Sequence, residues 1–390
     1  MNVALSVAFV ALALVGHAAF WVGLVNRWHA TGFRRSIVKT VTLVFYVGLL
    51  AIPPAIAWRL RDDDWDSPWQ WIVNPDAATA YLTLAALYAL VHIPRWAADR
   101  WRSRSLPVSV RLERVRVVDV TDTLGFAPAG GWRAALLGRV PGNELWQLHV
   151  SEFSIRLPKI SPALDGLSVC HWSDFHLSGR IDRDYFHEVV RLTNLAGADL
   201  IALTGDVCDS ASCIDWLSEI LAPVQARLGK FFILGNHDLR TRDLARLRSV
   251  LTEAGFVDLG GQRVSIHDGQ IELAGNERPW LSDEPPESSS KGRSTSEPLK
   301  ILLSHSPDQL AWARAHGFDL MLAGHTHGGQ ICFPLIGPVL CPSWHGVKYA
   351  AGFFDAPPTM MHVSRGTGSH FPMRWNCPPE ITKLVLWRGE

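Results

Sequence analysis

Two long apolar runs stand at the start of the chain, before any regular alternation of polar and apolar residues begins. The first, from 3 to 24, contains no Asp, Glu, Lys or Arg. About 20 such residues in a helix cross the hydrocarbon core of a bilayer, so this run predicts a transmembrane helix. The second, from 41 to 58, contains Pro53 and Pro54, which a membrane helix tolerates better than a soluble one does. It predicts a second, kinked span.

A third apolar run, from 73 to 93, has Asp76 and His92 near its ends. It predicts a third span, with a buried helix of a soluble domain as the alternative. Many of the 17 tryptophans flank these runs, which supports the membrane interpretation, because indole rings favour the headgroup region. The tryptophans that flank the three runs are Trp21, Trp28, Trp58, Trp65, Trp69, Trp71, Trp96 and Trp101. Residues 1–104 are therefore predicted to form a membrane anchor of about three transmembrane helices.

Basic residues between these runs predict how the anchor is oriented. They concentrate in the first and third loops, whereas the second loop has two arginines beside four aspartates. The basic residues of the first and third loops are Arg27, Arg34, Arg35, Lys39, Arg95, Arg100, Arg102 and Arg104. Since Lys- and Arg-rich loops stay in the cytoplasm, we expect a multi-pass protein of the inner or cell membrane whose C-terminal part is cytoplasmic. The Arg34-Arg35 pair also loosely resembles a twin-arginine export signal, which leaves the opposite orientation open.

Beyond residue 104 the pattern changes to short apolar strands that end in polar turns. Residues 105–157 hold alternating runs, such as 115–120 and 145–150, around a Gly- and Pro-rich insertion at 125–142. They predict a β-rich lead-in segment. From 158 to 390, apolar strands alternate with amphipathic stretches, which predicts an α/β domain with a sheet covered on its faces.

Two amphipathic stretches, 185–195 and 215–228, predict helices of this domain, and 282–298 has the composition of an exposed flexible loop. The 37 basic and 37 acidic side chains give a net charge of zero, so no nucleic-acid partner is expected. Hydrophobic residues make up 48% of the chain, which excludes disorder for most of it. The six cysteines show no short-spaced pairing, as suits a reducing compartment.

Polar residues with metal-binding side chains follow five of the apolar strands. They are Asp174, His176, Asp206, Asn236, His305, His325 and His327. Carboxylate, imidazole and amide donors without thiolates suit Mn, Fe, Ni or Zn and disfavour a structural zinc site of the cysteine type. These ligands are more than one ion needs, whereas two divalent ions that share one carboxylate would use them all. The strand ends are thus a candidate site for two divalent metal ions.

The order of these residues resembles a known family, the calcineurin-like metallophosphoesterases. The family motifs D-x-H, G-D-x-x-D, G-N-H-D/E, an isolated His and G-H-x-H occur here in order, at 174–176, 205–209, 235–238, 305 and 324–327. The resemblance begins at about residue 155 and continues to the C-terminus, whose final motifs look like the subgroup in which this domain follows membrane segments. It implies N-terminal transmembrane helices followed by an α/β domain of the α+β sandwich type, with a dinuclear metal centre at the strand ends.

The resemblance also implies a role for each motif residue. One ion would be held by Asp174, His176 and His327, the other by Asn236, His305 and His325, and Asp206 would bridge them. His237 would protonate the leaving oxygen or stabilise charge on the phosphate, with Asp238 orienting it. A water or hydroxide shared by the ions would be the nucleophile. No covalent enzyme intermediate is therefore expected.

Other residues near the motifs are expected to have supporting roles. Asp209 is expected to support the ligands rather than bind metal, and His171 to pack on the sheet. Three histidines after the last motif are candidates for lining the pocket but are not expected to bind metal: His345, His362 and His370. Three cysteines are assigned to packing or to loops: Cys208, Cys332 and Cys341.

These observations predict a hydrolase, and the anchor guides the choice of substrate. A domain tethered near a basic juxtamembrane segment meets lipid headgroups at high effective concentration, and the subgroup that the chain resembles includes enzymes proposed to cleave UDP-2,3-diacylglucosamine. We expect a lipid-linked phosphodiester or pyrophosphate as substrate, and membrane lipids as partners. The alternatives are an anchored phosphatase or cyclic-nucleotide phosphodiesterase with a soluble substrate, and a non-catalytic membrane scaffold. The scaffold is disfavoured because no ligand of the motifs is missing.

Overall fold

The computed structural model of the chain describes residues 2–63, 65, 68–73, 75–281, 283–287 and 297–389. The chain divides into two compact units, the first comprising residues 1–105 and 342–348 and the second residues 106–341 and 349–390. Each unit is described by itself. Most of the loop predicted at 282–298 lies outside the described residues.

Three helices of the first unit are long and apolar enough to cross a membrane. They are α1 (Asn2–His29), α2 (Arg35–Arg59) and α4 (Ala77–Arg102), and the short α3 (Pro68–Val73) precedes α4. The three predicted apolar helices are confirmed, although each extends beyond its predicted C-terminal end. Helix α4 begins at Ala77 rather than at 73, because the Asp76 carboxylate accepts a hydrogen bond from the Thr79 amide and caps the helix.

Small residues let α1 pack closely on α4. A Cβ atom at Gly16 would lie 1.8 Å from the Ala85 carbonyl oxygen and 3.1 Å from the Ala89 Cβ, so only glycine fits there. Such contacts between small residues are typical of membrane helices. The outer faces carry exposed leucines such as Leu43 and Leu84. The pattern of small residues inside and apolar residues outside fits a helical unit that lies in lipid.

Two mixed β-sheets form the second unit. Its strands are β1 (Val110–Asp119), β2 (Gln147–Leu157), β3 (Leu167–Trp172), β4 (Leu200–Thr204), β5 (Gly229–Ile233), β6 (Phe256–Asp258), β7 (Arg263–Ile266), β8 (Ile271–Asn276), β9 (Leu299–Ser304), β10 (Leu320–Ala323), β11 (Cys332–Phe333), β12 (Gly337–Pro338), β13 (Gly352–Ala356), β14 (Thr359–Val363) and β15 (Glu380–Arg388). One sheet has the order β1-β2-β15-β3-β4-β5-β6 and the other β13-β14-β10-β9-β8-β7, while β11 and β12 pair separately.

Helices cover the outer faces of both sheets. They are α5 (Val120–Leu124), α6 (Trp132–Leu137), α7 (Arg183–Ala196), α8 (Trp216–Leu221), α9 (Leu244–Glu253) and α10 (Leu310–Ala315). Between the sheets lies an apolar layer that includes Val169 of β3 and Leu303 of β9. Trp172 of β3 points to the opposite face, where α7, α8 and α9 pack, because successive side chains of a strand alternate between faces. Helix α10 covers the second sheet, which confirms the α/β sandwich.

Several local predictions can be compared with these elements. The segment predicted to be β-rich at 105–157 contains β1 and β2, and β2 pairs in parallel with β15. These strands therefore form one edge of the seven-stranded sheet. The helix predicted at 185–195 corresponds to α7. The helix predicted at 215–228 is shorter, because α8 ends at Leu221, shortly before Pro223, which has no backbone N–H with which to continue the helix.

Candidate metal centre

The ends of five strands bring the candidate ligands together. Strands β3, β4 and β5 are parallel to one another, as are β9 and β10, so the carboxyl ends of each set lie on one side. In chain order the ligands that follow these strands are Asp174, His176, Asp206, Asn236, His305, His325 and His327. Each of the seven lies within 3.7 Å of at least one other candidate ligand.

The backbone at these strand ends is unusual. Five ligands have left-handed backbone, with φ between 51° and 71°: Asp174, His176, Asp206, His325 and His327. Each such residue costs roughly 1–3 kcal/mol relative to ordinary backbone. Strain of this kind persists only where the surrounding structure enforces it, and it clusters at functional sites. The strained backbone at the strand ends therefore indicates a functional site rather than a contribution to stability.

Two glycines allow the loops to approach one another. A Cβ atom at Gly235 would lie 2.3 Å from Oδ1 of Asp206. A Cβ atom at Gly324 would lie 1.8 Å from Oγ of Ser173 and 2.5 Å from Oδ2 of Asp174. Any side chain at these two positions would push a candidate ligand out of place.

Asp174, His176 and His327 form a buried first ligand group. The Nε2 atoms of His176 and His327 lie 2.8 Å apart, and Oδ1 of Asp174 lies 3.3 Å from Nε2 of His327. Two imidazole nitrogens that face each other beside a carboxylate are a donor set suited to a divalent cation. The first ligand group therefore fits one ion.

Asp206, His305 and His325 form a buried second ligand group, and Asn236 lies beside it. The Nε2 atom of His305 lies 3.2 Å from Oδ1 of Asp206, 3.2 Å from Oδ1 of Asn236 and 3.2 Å from Nδ1 of His325. On the other side of the ring, Nδ1 of His305 contacts the Thr204 carbonyl oxygen at 2.8 Å. This contact fixes the imidazole so that Nε2 faces the other ligands.

Asp206 lies between the two ligand groups. Its Oδ1 is 3.2 Å from Nε2 of His305, and its Oδ2 is 3.7 Å from Nε2 of His176. Each carboxylate oxygen thus faces a different group, which is the arrangement that a bridging ligand requires. Together the residues fit two divalent ions that share Asp206.

Charges at the two groups also favour cations. Burial alone would lower the pKa of His176, but Asp209 and neighbouring carboxylates raise it to about 10. For His305, Asp206 outweighs burial in the same way and raises the pKa to about 9. The carboxylates thus hold protons on these imidazoles. Since imidazole binds metal only in its deprotonated form, bound cations would take the place of those protons.

The two predicted catalytic residues lie in different surroundings. The His237 ring lies edge-on to the first ligand group, and its Nδ1 is 3.2 Å from the Asp209 carboxylate. Asp238 is buried and accepts hydrogen bonds from the backbone amides of Cys208 and Gly235 at 2.8 and 2.7 Å. Asp238 thus joins the loops that follow β4 and β5, and among the described residues no hydrogen bond links its carboxylate to the His237 ring. Asp209 is the carboxylate in that position.

Asp209 is the centre of a wider cluster. It lies 2.8 Å from Nδ1 of His176, 2.7 Å from Nη1 of Arg240 and 3.0 Å from Nδ1 of His370. The contact with His176 fits the supporting role expected of Asp209, but His176, Asp209, His237 and His370 also lie close enough together to be a third group that could hold a metal ion. The sequence analysis missed Arg240, and the signal that could have indicated it is a basic residue three positions after His237.

Other candidate residues lie outside the two ligand groups. His171 is buried, with Nδ1 2.8 Å from Nδ1 of His362 and Nε2 2.9 Å from Oγ1 of Thr204. His345 belongs to the 342–348 segment of the first unit. None of the six cysteines belongs to a ligand group among the described residues. Trp280, which no motif indicated, lies with its ring centroid 4.6 Å from that of His325 and borders the second ligand group.

Comparisons with known proteins agree with this geometry. A family model described as calcineurin-like phosphoesterase matches residues 167–329, a range that includes all seven ligands. A metallophosphoesterase of Bacillus subtilis named YkuE, whose function is uncharacterised, is 32% identical over 250 residues, which are 62% of this chain and 87% of that protein.

Two further relatives carry more specific names. The phosphodiesterase YaeI of Escherichia coli is 30% identical over 55% of this chain and 80% of its own length. A bovine transmembrane protein with a metallophosphoesterase domain is 31% identical over 294 residues, which are 69% of this chain and 64% of that protein. The chain is thus similar both to a protein named as a phosphodiesterase and to one named for its transmembrane segments.

Proposed function

The chain belongs to the calcineurin-like phosphoesterase family and is a hydrolase, and on that premise we propose that it cleaves a lipid-linked phosphodiester or pyrophosphate at a membrane. The observation that carries the catalytic part is Asp206, whose two oxygens face the two ligand groups. The metal ions would come from the set of Mn, Fe, Ni and Zn, because the ligands are oxygens and imidazoles.

A lipid-linked substrate is supported by the apolar helices of the first unit. Three helices there are long enough to cross a membrane, and only residues 103–109 separate α4 from β1 along the chain. A short tether of this kind raises the effective concentration of lipid headgroups for the domain. The name of the bovine relative also combines transmembrane segments with this domain.

Within the proposed reaction each residue has a defined task. The ligand groups and Asn236 would hold two ions, which lower the pKa of bound water and polarise phosphoryl oxygens. Asp209 accepts from Nδ1 of His237 and fixes the ring, so His237 would present an Nε2–H to the leaving oxygen only as the doubly protonated imidazolium. The Thr204 carbonyl and the Asp209 carboxylate orient His305 and His176 from behind.

Turnover of bis(p-nitrophenyl) phosphate tests the catalytic part. Full-length protein in detergent, reconstituted with Mn, should release p-nitrophenol, and Asn236→Ala should reduce kcat/KM by roughly a hundredfold or more because one ion loses an oxygen ligand. Each of the four metals should be tried. If no metal supports turnover and Asn236→Ala changes nothing, the proposed function is wrong.

Surface-dilution kinetics test the lipid-linked substrate. In mixed micelles, the rate on a lipid diphosphate such as UDP-2,3-diacylglucosamine should follow its mole fraction in the micelle, because enzyme and substrate meet in the same surface. The rate on the soluble ester should not change with added detergent. A rate on the lipid diphosphate that follows only its bulk concentration would favour an anchored enzyme with a soluble substrate.

We further propose that the second unit faces the cytoplasm, which the distribution of Lys and Arg around the apolar helices supports. A C-terminal epitope tag should then resist protease in intact cells and be cleaved in inverted membrane vesicles. Cleavage in intact cells would instead support export and the twin-arginine interpretation of Arg34-Arg35.

A further inference from the structure

An exposed apolar hairpin begins shortly after the last ligand, His327. Strands β11 and β12 pair antiparallel across residues 334–336, and residues 332–338 are called the apolar hairpin. Large apolar side chains are exposed on it and directly after it: Phe333, Leu335, Ile336 and Leu340. Residues 320–347 contain no Asp, Glu, Lys or Arg. Exposed apolar side chains that gather in one place indicate a surface that contacts a partner or a membrane.

Leu335, at the tip of the hairpin, is strained as well as exposed. Its φ is 66°, and the Ile336 amide donates a hydrogen bond to the Pro334 carbonyl oxygen at 2.8 Å. This is the pattern of the classic γ-turn, which is rare and strained. Leu335 is also 81% exposed, so its side chain does not stabilise the unit by burial. Because strained backbone clusters at functional sites, the tip indicates a role other than folding.

The base of the hairpin is fixed next to the first ligand group. A Cβ atom at Gly329, two residues after His327, would lie 2.4 Å from the Pro338 Cβ, so β12 packs directly on the chain that follows this ligand. The Cys332 amide donates a hydrogen bond to the Trp375 carbonyl oxygen at 2.8 Å. The hairpin therefore has a held base and a projecting tip.

The chain also connects the hairpin to the apolar helices. Residues 339–341 are all that separates β12 from the segment 342–348, which belongs to the first unit. Three helices of that unit are long and apolar enough to cross a membrane. This covalent connection makes a bilayer the apolar phase nearest to the hairpin along the chain. The lack of charged side chains lowers the cost of moving the hairpin from water into lipid.

We propose that the apolar hairpin inserts Leu335 and Ile336 into the membrane interface, between the headgroups and the upper acyl chains of the phospholipids. The inference rests on the membrane location in the proposed function, but not on the identity of the substrate. It gives the unit that carries the ligand groups a membrane contact of its own, separate from the apolar helices. Because the base of the hairpin is fixed beside the first ligand group, insertion of the tip would hold that group close to the lipid surface.

Fluorescence quenching in full-length protein tests the insertion without turnover. The variant Leu335→Cys is labelled with bimane and reconstituted into vesicles of phosphatidylcholine and phosphatidylglycerol. One quencher is a phospholipid with a doxyl group near the top of its acyl chain, and the other is iodide on both sides of the bilayer. We expect the lipid quencher to remove about half of the fluorescence, because an inserted apolar surface lies about 5–10 Å deep. Iodide should have little effect.

Two further variants make the test specific. Ile336→Cys places the label at the next residue of the tip and should give the same result, so the test does not depend on the folding of one variant. The matched control is Leu195→Cys, since Leu195 is an exposed leucine of α7 in the same unit; iodide should quench its label and the lipid quencher should not. Wild-type protein taken through the labelling gives the background from the native cysteines, five of which are buried.

Iodide quenching at Leu335→Cys and Ile336→Cys as strong as at Leu195→Cys would overturn the proposal. Protection of both tip positions from both quenchers would also overturn it, because protein rather than lipid would then cover the tip. Hydrolysis of bis(p-nitrophenyl) phosphate is measured separately. A protein whose hairpin is quenched from the lipid but that hydrolyses no ester would contradict the proposed function and leave the membrane contact standing.

Discussion

The two ligand groups and the cluster around Asp209 lie side by side but are built differently. Six of the seven ligands are buried, and five of these sit on strained backbone shortly after a strand. Arg240 lies in a short 3₁₀ helix, Asp238–Thr241, and His370 in a loop, and they keep 17% and 36% of their side chains exposed. Burial and strained backbone hold the ligands in place, whereas the partly exposed side chains outside the strands are held by fewer neighbours. The comparison separates the ligands of the candidate metal centre from the side chains that border it.

Removal of the shared carboxylate should have the largest effect. Asp206→Ala takes one ligand from both groups, so kcat/KM for bis(p-nitrophenyl) phosphate should fall by roughly a thousandfold or more. The assay is colorimetric, at saturating Mn. The matched control is Asp215→Asn, an exposed aspartate that pairs with Arg246 at the surface. Substantial activity in Asp206→Ala would show that the two groups do not act as one centre.

A single added methyl group should disturb the ligand groups almost as strongly. In Gly235→Ala the new Cβ would lie 2.3 Å from Oδ1 of Asp206, so the carboxylate or the loop after β5 must move. We expect a fall in kcat/KM of roughly a hundredfold, because small displacements of a catalytic group are costly. The control is Gly131→Ala, where the structure has open space around the added atom. Wild-type activity in Gly235→Ala would mean that the strand ends tolerate movement.

A smaller loss of activity is expected at Asp209, where the first ligand group meets the cluster around this residue. Asp209→Asn keeps the shape of the side chain but replaces acceptors with an amide donor that opposes Arg240 and His370. Changes behind metal ligands typically cost about 10- to 100-fold in affinity or activity. Metal content and kcat should be measured together. A variant that loses kcat but keeps its metal would place the effect on His237, and an unchanged kcat would contradict the role of Asp209.

The smallest loss of activity is expected for the substitution furthest from the two ligand groups. His370→Ala removes a partly exposed ring that contacts Asp209 and Arg240, and we expect kcat/KM to fall by about 3- to 10-fold, mostly through KM. Steady-state kinetics at several substrate concentrations separate KM from kcat. A fall in kcat/KM as large as the one expected for Asp206→Ala would contradict the distinction between the two ligand groups and the cluster around Asp209.

Much of the fold and site could be predicted from the sequence because their signals are local. Length and the absence of charge indicated α1, α2 and α4, and short apolar strands followed by polar turns indicated the ligands after β3, β4, β5, β9 and β10. Each of these signals lies within about 20 adjacent residues. The motif order then identified the chemistry, since the residue types alone allowed several kinds of metal site.

What the sequence did not reveal depends on contacts between distant segments. Strand β15 inserts between β2 and β3, which no local pattern indicates. The orienting role expected of Asp238 took a neighbour in sequence as a neighbour in space, whereas its carboxylate accepts hydrogen bonds from the amides of Cys208 and Gly235. Arg240 and His370 meet across 130 positions of the chain, so their cluster became visible only in the folded structure.

The metal content of purified full-length protein tests the central claim most directly. Elemental analysis after reconstitution with Mn and removal of free ions should give two ions per chain, because the two ligand groups share Asp206. One ion per chain, or none with any of Mn, Fe, Ni and Zn, would contradict the dinuclear centre from which the proposed hydrolase activity follows.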